Sequence, residues 1–85
     1  MSVLYINRII VQNWNMSQDF RKIVANNVKR LREMKGKKRE EVSLALGLDN
    51  SYISKLERAN LNPTLDKLIK IAEYFEVKVA DLFKD

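Results

Sequence analysis

The chain has 85 residues, which allows one small domain with a single modest core and argues against an enzyme with a deep substrate cavity. It contains no Cys and no His, so thiolate and imidazole metal sites, thiol nucleophiles and histidine acid–base chemistry are excluded, and neither a catalytic residue, a metal nor a cofactor is expected. The net charge of +5 is unevenly spread: nine basic residues lie between Arg21 and Arg39 against Glu33 alone, whereas from Glu40 onward six basic residues face nine acidic ones.

The first sixteen residues, MSVLYINRIIVQNWNM, are rich in Ile, Val, Tyr and Trp and carry Arg8 as their one charge. The β-branched content favours a strand over about Val3 to Val11, although Val3, Ile6, Ile10 and Trp14 also fall on one helical face. A lone strand needs a partner, so the segment is read as a dimer arm, with Tyr5, Ile9 and Val11 in the interface. The alternative start is Met16, which leaves the preceding residues as translated upstream sequence. The expected division is an arm over 1–16 and a domain over 17–85.

Ser17 or Asp19 is placed to cap a helix from about Phe20 to Met34, with Val24, Val28 and Leu31 as its inner stripe. After Gly36 comes REEVSLALGLDNSYISKLER, where Val42 and Leu46 precede Gly47, and Leu48, Ile53 and Leu56 follow it. Helical spacing breaks at that glycine, so two short helices with a turn fit better than one continuous helix. Gly47 supplies a positive φ, and Asp49 is placed to cap a second helix running from Asn50 to about Arg58. With Ile53 and Leu56 inward, Asn50, Ser51, Ser54 and Lys55 lie outward and Tyr52 sits at the edge, an arrangement suited to entering a major groove.

Asn60 to Asn62 forms a loop, and Pro63 suits the first turn of another helix capped by Asn62 or Thr64. Leu65, Leu68, Ile71, Ala72 and Phe75 repeat at helical spacing and are expected in the core, and a short helix near Val79 to Phe83 closes the chain. No apolar run approaches a membrane span and no secretory leader is legible, so a cytoplasmic protein without membrane contact is expected.

The run GLDNSYISKLERANLNPT, with LREMKGKKREEVSLAL before it and LDKLIKIAEYFEVKVADLF after it, resembles the helix-turn-helix domains of the phage repressor and Cro family, including bacterial repressors and restriction-modification controller proteins. The resemblance covers roughly Val24 to Phe83. It implies an all-α, five-helix repressor-like domain, here with an extended amino-terminal arm, that binds double-stranded DNA as a homodimer on a near-palindromic operator and regulates transcription. No small-molecule ligand is expected.

By family position Asn50, Ser51 and Lys55 are the base-contact sites, consistent with an Asn bonding adenine and a Lys donating to guanine. Phosphate contacts fall to Arg39, Tyr52, Ser54, Arg58 and Asn60, with Lys37 and Lys38 at longer range. The resemblance also implies a buried ion pair between Arg32 and Glu57, and dimer contacts through Tyr74, Val79 and Phe83.

Three departures stand out. Lys37, Lys38 and Arg39 replace the family's usual apolar residue, Ser/Thr cap and Gln, so the phosphate contact carries over only as the long basic Arg39. Ser43 replaces the small alanine between the motif helices. Ala59 replaces the glycine after the second, leaving Asn60 as the expected left-handed residue. A second functional class, a DNA-binding antitoxin subunit docking a protein toxin through Leu44, Leu61 and Trp14, uses the same domain.

Overall fold

The computed structural model describes the backbone of residues 16–85 and the side chains from Phe20 onward. Its elements are α1 (Met16–Met34), α2 (Arg39–Ala45), α3 (Tyr52–Glu57), α4 (Leu65–Tyr74) and a closing 3-10 turn (Val79–Phe83). The described chain is therefore all-α, with four α-helices rather than five, and no strand occurs among the described residues. The strand expected over Val3 to Val11, with Tyr5, Ile9 and Val11, lies outside them.

Helix α1 begins at Met16, four residues before the expected start, so Ser17 and Asp19 lie inside the helix instead of capping it. Its buried face carries Val24, Ala25 and Val28, with Leu31 half-buried beside them, and packs against α3 and the closing turn. Asn27 sits on the same face at 2 % exposure. Its amide nitrogen donates to the carbonyls of Leu82 and Lys84, both at 2.8 Å, while its oxygen accepts from Arg30 at 2.7 Å. A buried polar side chain thus pins the end of the chain to α1 by satisfying carbonyls that a short 3-10 turn leaves open.

Each of the four helices ends in the same way. The residue after the cap takes a left-handed φ and donates to the carbonyl three back, and the next amide donates five back, as in the pairs Gly47 to Leu44 and Leu48 to Ser43. Glycine fills the left-handed position after α1 and α2, at Gly36 and Gly47, but Ala59 (φ 56°) and Glu76 (φ 58°) fill it after α3 and α4. This corrects the expectation for Asn60, whose amide instead makes the longer bond to the Lys55 carbonyl at 3.0 Å. The terminating geometry fixes the left-handed residue by its distance from the last helical turn, and that register falls on Ala59.

At α4 the cap is Thr64, whose hydroxyl accepts from the Lys67 amide at 3.2 Å. Pro63 therefore precedes the cap and is not part of the first turn. Val24, Val28, Val42, Ile53, Leu56, Leu68, Ile71, Ala72, Phe75 and Leu82 form one core. Leu65, expected in it, is 63 % exposed: it shares the stripe of Leu68 but stands in the first turn, where no other described element covers it.

Candidate nucleic-acid interface

Helix α2 lacks a Ser or Thr cap, as its sequence shows, but a carboxylate supplies the missing acceptor from inside the helix. Glu41 accepts the Lys38 backbone N–H at 2.8 Å. The turn to α3 then passes through Gly47 (φ 71°). Asp49 accepts the Ser51 amide at 3.2 Å and the Ser51 hydroxyl as well, which holds its carboxyl below the ordinary aspartate value. Helix α3 proper starts at Tyr52, not at the expected Asn50, because residues 50–51 are taken up in a tighter turn closed by the Tyr52 amide on the Asp49 carbonyl at 2.9 Å.

Ser43 joins the two motif helices. It is fully buried, donates to the Arg39 carbonyl at 3.0 Å and accepts the Ile53 backbone N–H at 3.0 Å. That amide belongs to the first turn of α3, where no intrahelical acceptor exists, so a side chain of α2 completes the start of α3. The sequence shows only a small residue here; the hydrogen bond is what an alanine could not make.

At the other end of α3, Glu57 collects two arginines. Arg32 reaches it through Nε at 2.6 Å and Nη2 at 3.1 Å, and its Nη1 donates to the Lys37 carbonyl at 2.9 Å. The side chains of Arg32 and Glu57 are 9 % and 3 % exposed, and the bonds to Glu57 hold the Arg32 guanidinium above its ordinary pKa. Arg39 adds a contact from Nε to Glu57 at 3.0 Å but stays half exposed. Glu57 therefore both locks α1 to α3 and fixes the stem of an exposed arginine at the start of α2.

Around this anchor the other expected site residues divide by exposure. Asn50 and Lys55 are exposed and Ser51 and Ser54 half-buried, while Ile53 and Leu56 point into the core. Asn50, Ser51 and Ser54 face Lys38, Arg39 and Glu40 across a polar cleft of about 530 Å³. A second concavity of about 270 Å³ gathers Lys29, Arg39, Ser54, Glu57 and Arg58. Lys29, three helical turns into α1, is thus brought beside the motif helices, which the basic run from Arg21 to Arg39 contains but does not single out.

Lys37 is half-buried and Asn60 exposed. Tyr52 differs from the rest: its phenol oxygen is buried without a hydrogen-bond partner among the described residues, burial raises its pKa, and the Lys67 ammonium lies 5.9 Å from the ring centre. In this conformation that oxygen does not reach the surface where a phosphate would lie. Tyr74 and Val79 are half-buried at the carboxy-terminal end, with Lys35 stacked 4.5 Å over the Tyr74 ring, and Phe83 meets Phe20 edge-on at 5.7 Å. Among the described residues no cluster of acidic side chains could hold a metal, and no helix is long and apolar enough to cross a membrane.

The family model described as "Helix-turn-helix" matches residues 28–82, which span α2, the turn, α3 and the elements that hold them. The chain belongs to the helix-turn-helix family. Within it, this chain is a DNA-binding transcriptional regulator and not an enzyme. It is 41 % identical over 64 residues to an uncharacterized HTH-type transcriptional regulator, y4dJ, of Sinorhizobium fredii, covering 75 % of this chain and 83 % of the relative. It is 38 % identical over 55 residues to a hypothetical transcription factor of Neisseria meningitidis, covering 65 % of this chain and 52 % of that one.

Solved structures agree. A hypothetical transcription factor from Neisseria superposes with a TM-score of 0.75 at 34 % identity, covering 80 % of this chain and 78 % of that one. The restriction-modification controller protein C.AhdI from Aeromonas hydrophila superposes with a TM-score of 0.70 at 28 % identity, covering 74 % of this chain and 96 % of that one.

Proposed function

We propose that the protein binds double-stranded DNA sequence-specifically as a homodimer on a near-palindromic operator, with α3 in the major groove. The observation that carries this reading is the division of α3 and its leading turn. Ile53 and Leu56 are buried, while Asn50 and Lys55 are exposed, and Asn50 shares a polar cleft with Lys38 and Arg39. Asn50 and Lys55 read base edges, an amide suiting adenine and an ammonium suiting guanine. Ser51, its proton given to Asp49, offers an acceptor.

Arg39, Ser54, Arg58 and Asn60 contact phosphates, with Lys37 and Lys38 at longer range. The buried oxygen of Tyr52 favours a packing role for that residue over a phosphate contact. Two copies are needed because a single short helix covers too few base pairs to select a site; half-sites would lie about 34 Å apart. Tyr74 and Val79, with Phe83 at their margin, are the proposed dimer contacts. The likeness to a restriction-modification controller protein supports a role in controlling transcription.

Exposed Leu44, at 65 %, favours a protein partner, but Leu61 lines a groove that does not include it. Selection of bound duplexes from a random pool tests the proposal. A near-palindromic consensus with half-sites one DNA turn apart is expected, and enrichment of no sequence would contradict it.

A further inference from the structure

An apolar groove of about 280 Å³ lies on the molecule away from the motif helices' polar clefts, and its walls come from Phe20 and Val24 of α1, Leu56, Leu61 and Pro63, Leu68 of α4 and Phe83. Phe20 is 39 % exposed, and Leu65, one turn before Leu68 on the same face of α4, is 63 % exposed. Arg21 and Asn62 are the polar residues at its rim. Neither the base contacts nor the phosphate contacts proposed above use this surface, and of the proposed dimer contacts only Phe83 borders it.

We propose that the groove is the docking site of the chain's own amino-terminal segment, residues 3–14, folded back along α1. The segment and the groove match chemically: Val3, Leu4, Tyr5, Ile6, Ile9, Ile10, Val11 and Trp14 are apolar, and Arg8 is the one charge. An apolar segment of this kind and an exposed apolar groove each lose unfavourable water contact when they meet. The reach also fits. The segment joins the helix at Met16, and the groove begins at Phe20 and Val24; the span from Met16 to Val24 is about 12 Å at 1.5 Å per helical residue, which roughly four extended residues cover.

Tethering makes the encounter intramolecular, at an effective concentration in the millimolar range for a short linker, which favours the chain's own groove over that of a second copy. The proposal does not rest on DNA binding.

Trp14 is the only tryptophan in the chain, so its fluorescence reports on the segment alone. In the full-length protein its emission should be blue-shifted and its acrylamide quenching several-fold weaker than in a free peptide of residues 1–15, with both values unchanged on dilution. Two separate groove variants, Phe20→Asp and Leu61→Glu, should return emission and quenching to the peptide values, with helical circular dichroism confirming that each remains folded. A Trp14 signal equal to that of the free peptide would overturn the proposal, as would groove variants that leave it unchanged. Shielding lost on dilution in step with dimer dissociation, followed by sedimentation, would also overturn it by assigning the segment to a second copy.

Discussion

Arg39, the first residue of α2, is held through its Nε by Glu57, the last residue of α3, at 3.0 Å. The same carboxylate takes both Nε and Nη2 of buried Arg32, so one acidic side chain couples the packing of α1 on α3 to the placement of a surface cation beside α3. Removing the carboxylate charge leaves Arg32 buried without its counter-charge. Glu57→Gln should therefore destabilise the domain by roughly 3–5 kcal/mol in denaturant titration, because the cost is that of a stranded buried charge. Arg39→Ala should cost much less stability, since its side chain is half exposed, and should weaken binding to all duplexes alike.

Asn27 gives a second, independent stability test. Replacing it with Ala leaves the Leu82 and Lys84 carbonyls without their shared donor and should cost about 1–3 kcal/mol, read as a lower denaturation midpoint at unchanged slope. An Asn27→Ala protein as stable as the parent would show that the closing turn is held by Leu82 packing alone.

Backbone strain at two helix ends predicts the opposite sign. Ala59 and Glu76 occupy left-handed positions that cost a residue with a Cβ roughly 1–2 kcal/mol. Ala59→Gly and Glu76→Gly should each stabilise the domain by about 1 kcal/mol, less a little for the greater freedom of glycine in the unfolded chain. Thermal melts of the two variants, singly and combined, check this, and additivity is expected because the sites lie on different helices.

Several of these features were within reach of the sequence and several were not. Gly47 announces its turn because only a glycine breaks the apolar spacing there, and the inward stripe of Val24, Val28, Ile53, Leu56, Leu68 and Ile71 follows from helical period alone. Leu65 satisfies the same period yet is exposed, since periodicity gives a face but not how far along the helix the neighbouring elements extend. Ala59 and Glu76 are invisible because nothing in their chemistry prefers a positive φ; the cap geometry imposes it. Asn27 looks like any polar residue of a basic helix until the carbonyls 55 and 57 positions away arrive beside it. Among the site residues, the outward set on α3 is legible from the inward one, whereas the Ser43 bond to Ile53 and the placement of Lys29 beside Arg58 require the folded chain.

Acid should weaken the fold in a defined direction. The Asp49 carboxyl is held below its ordinary pKa by Ser51, and that of Asp81 by Lys84 and the Lys78 amide. A carboxyl depressed in the folded state contributes stability that is present above its unfolded value, near pH 4, and is lost as pH falls through the folded value. Stability measured from pH 6 down to pH 2 should decline, and Asp49→Asn with Asp81→Asn should flatten part of that decline. A slope identical to the parent's would remove these two groups from the acid response.

The central claim is that Asn50, Ser51 and Lys55 read bases while the surrounding cations grip the backbone. It is tested most directly by fluorescence anisotropy of Asn50→Ala and Lys55→Ala on the selected operator and on a random duplex of equal length, at two salt concentrations, after melts confirm that both variants are folded. Each substitution should cost about 1–3 kcal/mol on the operator and little on random DNA, with affinity falling steeply with salt in every case. Variants that keep the parent's preference for the operator, or that lose affinity equally for both duplexes, would contradict the assignment of α3 and its leading turn as the reading element.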